Sequence, residues 1–438
     1  MLKTALTAVA LLASTTLATS IMAPGALGQD DNDTLTVIHA GWLLAVPGED
    51  PAMEQSILIR GERIESIQDG YVSPEGATII DLSDDYVMPG FIDSHVHLQS
   101  ELGPGRRFNT FTMSAADLAF DGAVNARTTL MAGFTTVQDV GGNFEASLAL
   151  RDAINDGDVA GPRMRIAGSA VTPTGGHADI NGFSLDVLHM FASETACNGE
   201  AQCREAVRSL IRGGADVIKI TATGGVLSDT AAGVEQQFFD DELASIVEAA
   251  HMMGRRVTAH AHGATGINSF LEAGGDSIEH GTYLDRDSIR LMRRNGAYLV
   301  PTVLAGVTVA ELAETADFMT DNQRAKSREV GPLMLEMARR AHEGGVTIAF
   351  GTDSGVSQHG VNAREFELYV EAGLTPMEAI VTATINASRH VQMDADIGTI
   401  EAGKFADIVA VDGNPLDNIS ELRDIDFVMK GGEVYLNP

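Results

Sequence analysis

The chain is poor in cysteine, in aromatic side chains and in basic residues. Its 438 residues include two cysteines, one tryptophan and 5% aromatics overall. Two cysteines allow one bridge at most, so a disulfide scaffold does not hold this chain together. Lysine and arginine number 29 against 61 acidic residues, a formal net charge of -32. That balance argues against a nucleic-acid partner or an anionic membrane surface. It favours solubility, attracts metal cations and suits a salty environment. Beyond the N-terminus no stretch has 18 uninterrupted apolar residues, so no membrane-spanning helix is expected there. Repeats and low-complexity tracts are absent as well. With 44% hydrophobic residues the chain can bury a large core.

Cys197 and Cys203 lie close together in "ACNGEAQCREAV". The five-residue gap is not C-x-x-C, and no histidine is near in sequence. In an exported chain the pair reads as a loop-stapling disulfide, with a redox or metal pair as the alternative. Export is suggested by residues 1–28, which combine Lys3, the apolar run "ALTAVALLA" and small residues in "ALG" before Gln29. This is the pattern of a cleaved signal peptide, and it places the mature protein in the periplasm or outside the cell. A membrane anchor is the alternative, but the apolar part is short for a span, so no stable membrane insertion is expected after cleavage.

Strand-like and helix-like patterns alternate between residues 87 and 396. The expected strands are "FIDSHVHL", "FTTVQDV", "RMRIAGSAV", "DVIKITA", "RVTAHAH", "DSIEHG", "AYLVPTV" and "TIAFGTDS". Amphipathic stretches such as "DELASIVEAAHMMG" separate most of them. Serial β/α units of this kind predict an α/β fold, a (β/α)8 TIM barrel. The flanks, residues 29–86 and 397–438, carry short alternating strands with Gly-rich or polar turns. Neither is long enough to fold comfortably alone. One small β-sandwich domain formed from both termini, with the barrel inserted between them, is the economical arrangement.

Inward side chains at the C-terminal strand ends form the active site of such a barrel. The first strand ends in His95 and His97, on one face and about 7 Å apart along the strand. The fourth carries Lys219, which a buried strand must either neutralise or bring to water. The fifth carries His260 and His262, the sixth His280 and the eighth Asp353. Singly, each histidine can be a satisfied core residue; together at one end they point to a divalent metal, with zinc the natural candidate. Two metals need a bridge. A neutral lysine in a dry site is nucleophilic and can take up CO2 as a carbamate, which offers one oxygen to each metal. The bland alternative is a Lys219–Asp353 ion pair. Gly224-Gly225 are read as leaving room above Lys219.

The set "HVH", "VIKI", "HAH", "IEHG" and "GTDSG", with "MPGFIDSHVHL" and "GTIEAGKFADIVAVDGNPL", resembles the amidohydrolase superfamily over nearly the whole mature chain. "ITATGGVLS", "TAHAHG", "SIEHGTYLD" and "EAGLTPMEAIVTATINAS" resemble its binuclear imidazolonepropionase-like branch, which holds Xaa-Pro dipeptidases and ochratoxin-hydrolysing amidohydrolases. The resemblance implies that His95, His97 and Asp353 bind one metal ion, that His260 and His280 bind the second, and that carboxylated Lys219 bridges them. It further implies hydrolysis of an amide or peptide bond by a bridging hydroxide, with Asp353 moving the proton. His262 then faces the substrate or supports the oxyanion, although regular alternation leaves it open which of His260 and His262 is the ligand.

Tyr283 can meet the tetrahedral intermediate or pack at the rim. His177, in "TPTGGHAD", can face the substrate or be a loop histidine. Asp139 reads as a residue that orients a ligand histidine. Ser100, His359 and Asn362 receive no role, and neither do His39, His189, His251, His342 and His390. Arg106 and Arg107, on the first βα loop, can answer a free carboxylate but read first as surface arginines. The expected partner is a small-molecule substrate, a dipeptide or N-acyl amino acid, an ochratoxin-type amide being a specific case. Cyclic amides or lactones are the alternative, and a non-catalytic interaction protein is a remote one. Homo-oligomerisation fits the branch, but no stripe in the sequence compels it.

Overall fold

The structure, a computed structural model, describes residues 34–229 and 233–437. The expected signal segment 1–28 lies outside them. The strands, in chain order, are β1 (Leu35–Leu43), β2 (Ala52–Arg60), β3 (Arg63–Asp69), β4 (Thr78–Pro89), β5 (Phe91–Val96), β6 (Phe134–Asp139), β7 (Arg163–Ile166), β8 (Ile218–Thr221), β9 (Val257–Ala261), β10 (Ser277–His280), β11 (Tyr298–Val300), β12 (Thr347–Ile348), β13 (Ile408–Val411), β14 (Phe427–Lys430) and β15 (Glu433–Leu436).

Both ends of the chain share one seven-stranded sheet, in the order β15-β14-β13-β4-β1-β2-β3. The N-terminal β4 pairs with the C-terminal β13 through Pro89 to Ile408 and Tyr86 to Val411. At the far edge, β3 meets the segment around Phe405, where Ile64 donates to the Lys404 carbonyl and Gly403 to that of Ile64. The sheet thus curls over its own core, which contains Ile38, Ile57, Ile59, Val87, Ile408 and Phe427. Alternation explains this core: Ile57 and Ile59 face it, as do Ile38 and Ala40.

The middle of the chain is α/β. β5-β6-β7 form a three-stranded parallel sheet and β8 to β12 a five-stranded one. Parallel bridges join them on both sides, Val171 to Ile220 and Val96 to Ser354. Helices lie between successive strands, and both β8 and β9 are buried along their full length, as parallel strands covered on two faces must be. All eight expected strands are present, each shorter than its sequence pattern suggested. Their C-terminal residues leave the ladder and become the loops that carry polar side chains. Cys197 and Cys203 are joined in a disulfide just before and within the helix Gly199–Gly213. Among the described residues no helix is long and apolar enough to cross a membrane.

Candidate metal centre

Two sets of ligand atoms gather at the C-terminal ends of the parallel strands. His95, His97 and Asp353 form one, and His260, His262 and His280 the other, the ligand atoms of each set lying within 4.8 Å of one another. His280 stands between the sets, its ring centroid 5.2 Å from that of His95 and 4.6 Å from that of His260. Asp353 Oδ1 is 3.2 Å from His97 Nε2 and 3.5 Å from His95 Nε2.

Each imidazole is held by its other nitrogen. His95 Nδ1 meets Glu279 Oε2 at 2.5 Å, His97 Nδ1 meets the Gly141 carbonyl at 2.7 Å, His262 Nδ1 meets Thr282 Oγ1 at 2.8 Å and His280 Nδ1 meets Thr302 Oγ1 at 2.7 Å. This is the arrangement metal-binding histidines use to fix tautomer and ring orientation. His260 Nε2 is 3.3 Å from the Gly224 carbonyl. Asp139 works on His97 through the backbone. Its carboxylate accepts from the amides of Leu98 and Gly141, and Gly141 in turn holds His97.

The backbone is bent to bring these groups inward. Glu279 and His280 are consecutive, so a regular strand would send them to opposite faces. Both nevertheless reach His95, because His280 adopts φ 70°. Thr302 at φ 50° and Asp353 at φ 56° are likewise left-handed. Such conformations cost on the order of 1 kcal/mol each and cluster at functional sites.

Burial sets the charge states. It lowers the pKa of His95, His260 and His280 well below the usual histidine value, and neighbouring cationic groups and imidazoles add to the effect. His262 is brought down to about 3 by the same cause. These rings are therefore neutral and keep a lone pair for a cation. In Asp353 burial pushes the carboxyl up, but His95 and His97 outweigh it and hold the group below its ordinary value.

Lys219 lies in β8 and is 4% exposed. Among the described residues its Nζ has no hydrogen-bond partner, and it is not ion-paired to Asp353. Burial lowers its pKa, against the pull of Glu279 and Asp353. Its charge bears on His95 of one set and on His260, His262 and His280 of the other. Neutral imidazoles, an anionic carboxylate and an orphaned buried amine fit a centre for divalent cations.

His177 stacks on His260 with ring centroids 4.1 Å apart, and its Nδ1 meets Ser228 Oγ at 2.6 Å. Of the glycines after β8, Gly225 serves that contact, and neither abuts Lys219. A Cβ on Gly225 would overlap the His177 ring, and one on Gly224 would strike the Gly233 carbonyl. The expectation that they leave room above Lys219 is corrected accordingly. The Tyr283 hydroxyl donates to Glu329 at 2.7 Å, so it is engaged at the rim; burial and then Glu329 push its pKa up to about 12.

Sequence reasoning missed Glu279, Thr282, Thr302 and Ser228 as partners of the imidazoles. Glu279 left a signal: it is a carboxylate inside an apolar strand, paired in register with His260. Asn362 also has work to do. It donates to Asp93 at 2.8 Å, and Asp93 accepts from Thr352 Oγ1 at 2.6 Å and from the His95 amide at 3.1 Å. This buried network ties the first strand to the loop that carries Asp353. His359 Nε2 lies 3.2 Å from the Ser100 carbonyl, a loop contact.

The amidohydrolase family profile matches residues 86–435. The ochratoxinase of Aspergillus niger is 32% identical over 95% of this chain and 89% of its own length. A Xaa-Pro dipeptidase, solved with methionine bound in its active site, superposes with a TM-score of 0.88 at 40% identity, over 92% of this chain and all of its own. A prolidase complexed with N-methylphosphonate-L-proline gives 0.85 at 31% identity over the same shares. The chain belongs to the amidohydrolase family and is a hydrolase of amide or peptide C–N bonds.

Proposed function

We propose that this chain is an exported, binuclear amidohydrolase that cleaves the amide bond of a small substrate, a dipeptide or an N-acyl amino acid, with an ochratoxin-type amide as one case. One observation carries the reading: Lys219 Nζ sits buried and unpartnered at the strand ends where two sets of histidine and carboxylate donors gather, and its charge bears on members of both. On this reading the parallel strands form a (β/α)8 barrel and the shared terminal sheet a β-sandwich. The bridges on both sides of the parallel sheets support that architecture.

His95, His97 and Asp353 would hold one divalent ion, zinc by donor type, and His260 and His280 the other. Lys219 would join them as a carbamate, its depressed pKa keeping the amine free to take up CO2. When bound, two such ions acidify a water and polarise the scissile carbonyl.

The protein's own groups do the rest. Asp353, kept anionic by His95 and His97, takes the proton of the attacking water and passes it to the leaving amine. His262, neutral and anchored by Thr282, offers Nε2 to the substrate carbonyl side. His177, fixed by Ser228 and stacked on His260, borders the same space. Export rests on residues 1–28 alone.

The test is a panel of dipeptides, N-acyl amino acids, hydantoins and lactones, assayed with zinc and bicarbonate, together with metal analysis and intact mass. Expected are two metals per chain, a mass increment of one CO2, and turnover of the linear amides. Lys219→Ala should lose the bridge and most activity, with partial rescue by a short carboxylic acid. Turnover of lactones alone would defeat the substrate reading, and full metal content and rate in Lys219→Ala would defeat the carbamate.

A further inference from the structure

The function proposed above leaves open what selects the substrate. A dipeptide or N-acyl amino acid carries a free carboxylate next to the scissile amide. Desolvating that anion in a chain of net charge -32 requires a cation at the mouth. Of the cationic side chains on the elements around it, three stand on or against the loops that carry His97 and His177.

Two of the three are committed. Lys326 Nζ donates to the carbonyls of Gly225 and Ser228 at 2.8 and 2.7 Å, holding the loop that positions His177. Arg107 pairs with Asp229 at 2.8 Å, donates to the Gly182 carbonyl at 2.9 Å and lies over the Phe183 ring at 4.7 Å. That contact staples the helix Arg106–Thr112 to the loops around 182 and 229. Phe111 strengthens the staple by packing edge-on against Phe183 and Phe191, with ring centroids 5.0 and 4.7 Å away.

Arg106 is the third. It opens the short helix nine residues after His97. Among the described residues its guanidinium has no hydrogen bond and no ion pair. It is partly buried, whereas the other arginines without a side-chain partner, such as Arg127, Arg208 and Arg286, are exposed. Among the described residues the Asp353 carboxylate bears on it, and its own charge reaches His177. Its helix is tied by Arg107 to Asp229, the neighbour of the Ser228 that holds His177, which sets Arg106 beside the strand-end loops of the centre. Consecutive helical residues point about 100° apart, so clamping Arg107 to the outer loops turns Arg106 away from them. Burial depresses its pKa from the ordinary value, as expected of a cation lacking a partner. A guanidinium stays charged even so.

We propose that Arg106 binds the free carboxylate of the amino acid released on cleavage, restricting the enzyme to amides with an unblocked C-terminal residue. The proposal rests on the amide-hydrolysis reading and adds the group that the substrate must carry. A planar guanidinium can take both carboxylate oxygens, a geometry a lysine ammonium does not reproduce. The site belongs to recognition, not to bond breaking, so its effect should appear mainly in KM.

The experiment compares wild type, Arg106→Gln and Arg106→Lys on N-acetyl-L-phenylalanine and its C-terminal amide. The same proteins are titrated calorimetrically with L-phenylalanine and L-phenylalaninamide, which carry the same ring and amine. Wild type should prefer the acid over the amide by about 30-fold in both kcat/KM and affinity, the scale of a charge-assisted pair. Arg106→Gln should bring the ratio near unity, mainly through a higher KM for the acid, and Arg106→Lys should restore it in part. Equal affinity of wild type for the two titrants, or a preference that survives in Arg106→Gln, overturns the assignment. Failure of wild type to turn over any linear amide overturns the amide-hydrolysis reading instead, and the calorimetry still decides Arg106.

Discussion

His95 Nδ1 lies 2.5 Å from Glu279 Oε2, with both side chains inside the protein and Glu279 fully shielded from water. The carboxylate also accepts from Thr258 and, at 3.3 Å, from Ser277. Glu279 thus orients His95 Nε2 toward Asp353 and gains its own compensation from hydroxyls. Glu279→Gln keeps the shape and removes the charge. It should lower metal retention or kcat/KM about 10- to 100-fold, the range for partners of metal-binding histidines. Metal content after dialysis against chelator, measured beside the rate, checks this; an unchanged value for both would mean that His95 needs no such partner.

His260 and His262 are separable. The structure brings both into one donor set with His280, but they are held differently. His262 is anchored by Thr282 and by its amide on Thr223, while His260 is covered by His177. His260→Asn should cost one of the two metals. His262→Asn should keep both and reduce kcat by about 100-fold or more, as loss of an oxyanion donor does. The reverse pattern of metal content would exchange their assignments.

Gly225→Ala tests His177 without touching it. The added methyl would occupy the position of the imidazole and displace it from His260. Turnover should fall about tenfold or more while metal content is kept. His177→Ala should do the same, and the double variant should be no worse than either single one, because both remove one contact. Additive losses would show that Gly225 acts on the site by another route.

Alternation and β/α seriality made most of the centre legible. His95, Lys219 and His260 lie on β5, β8 and β9 and His97 just past β5, so a period of two sufficed to send them to one end of the parallel strands. Glu279 and His280 could not be read this way. Their joint approach to His95 depends on φ 70° at His280, a turn that no propensity announces. Asp353 was found by its motif, yet it sits five residues beyond β12, which retains only Thr347–Ile348 as ladder. The role of Gly225 was hidden because His177, its neighbour in space, is 48 positions away in sequence. The seam of the terminal sheet was legible only as a need, two short β segments that each lacked a partner. The pairing of β4 with β13 answers it.

Glu365 supplies a test of stability apart from chemistry. Its carboxyl is fully buried in the helix Arg364–Glu371 and accepts from the amides of Val303 and Leu304, the start of the helix that follows Thr302. Burial pushes its pKa up to about 8, although those two amides pull the other way. The folded state therefore binds a proton that the unfolded chain has released above its ordinary value near 4.5. With a raised folded pKa the contribution is fully present below that ordinary value. It is lost progressively as pH rises through about 8, and the whole change is at most about 5 kcal/mol. Glu365→Gln cannot titrate and retains an oxygen for one of the amides. Denaturant unfolding between pH 5 and 8 should show wild type losing stability with rising pH and the variant losing less. Parallel curves would show that Glu365 is ionised in the native protein. In that case the amides of Val303 and Leu304 outweigh burial, and the loop carrying Thr302, and through it His280, is held by a charge.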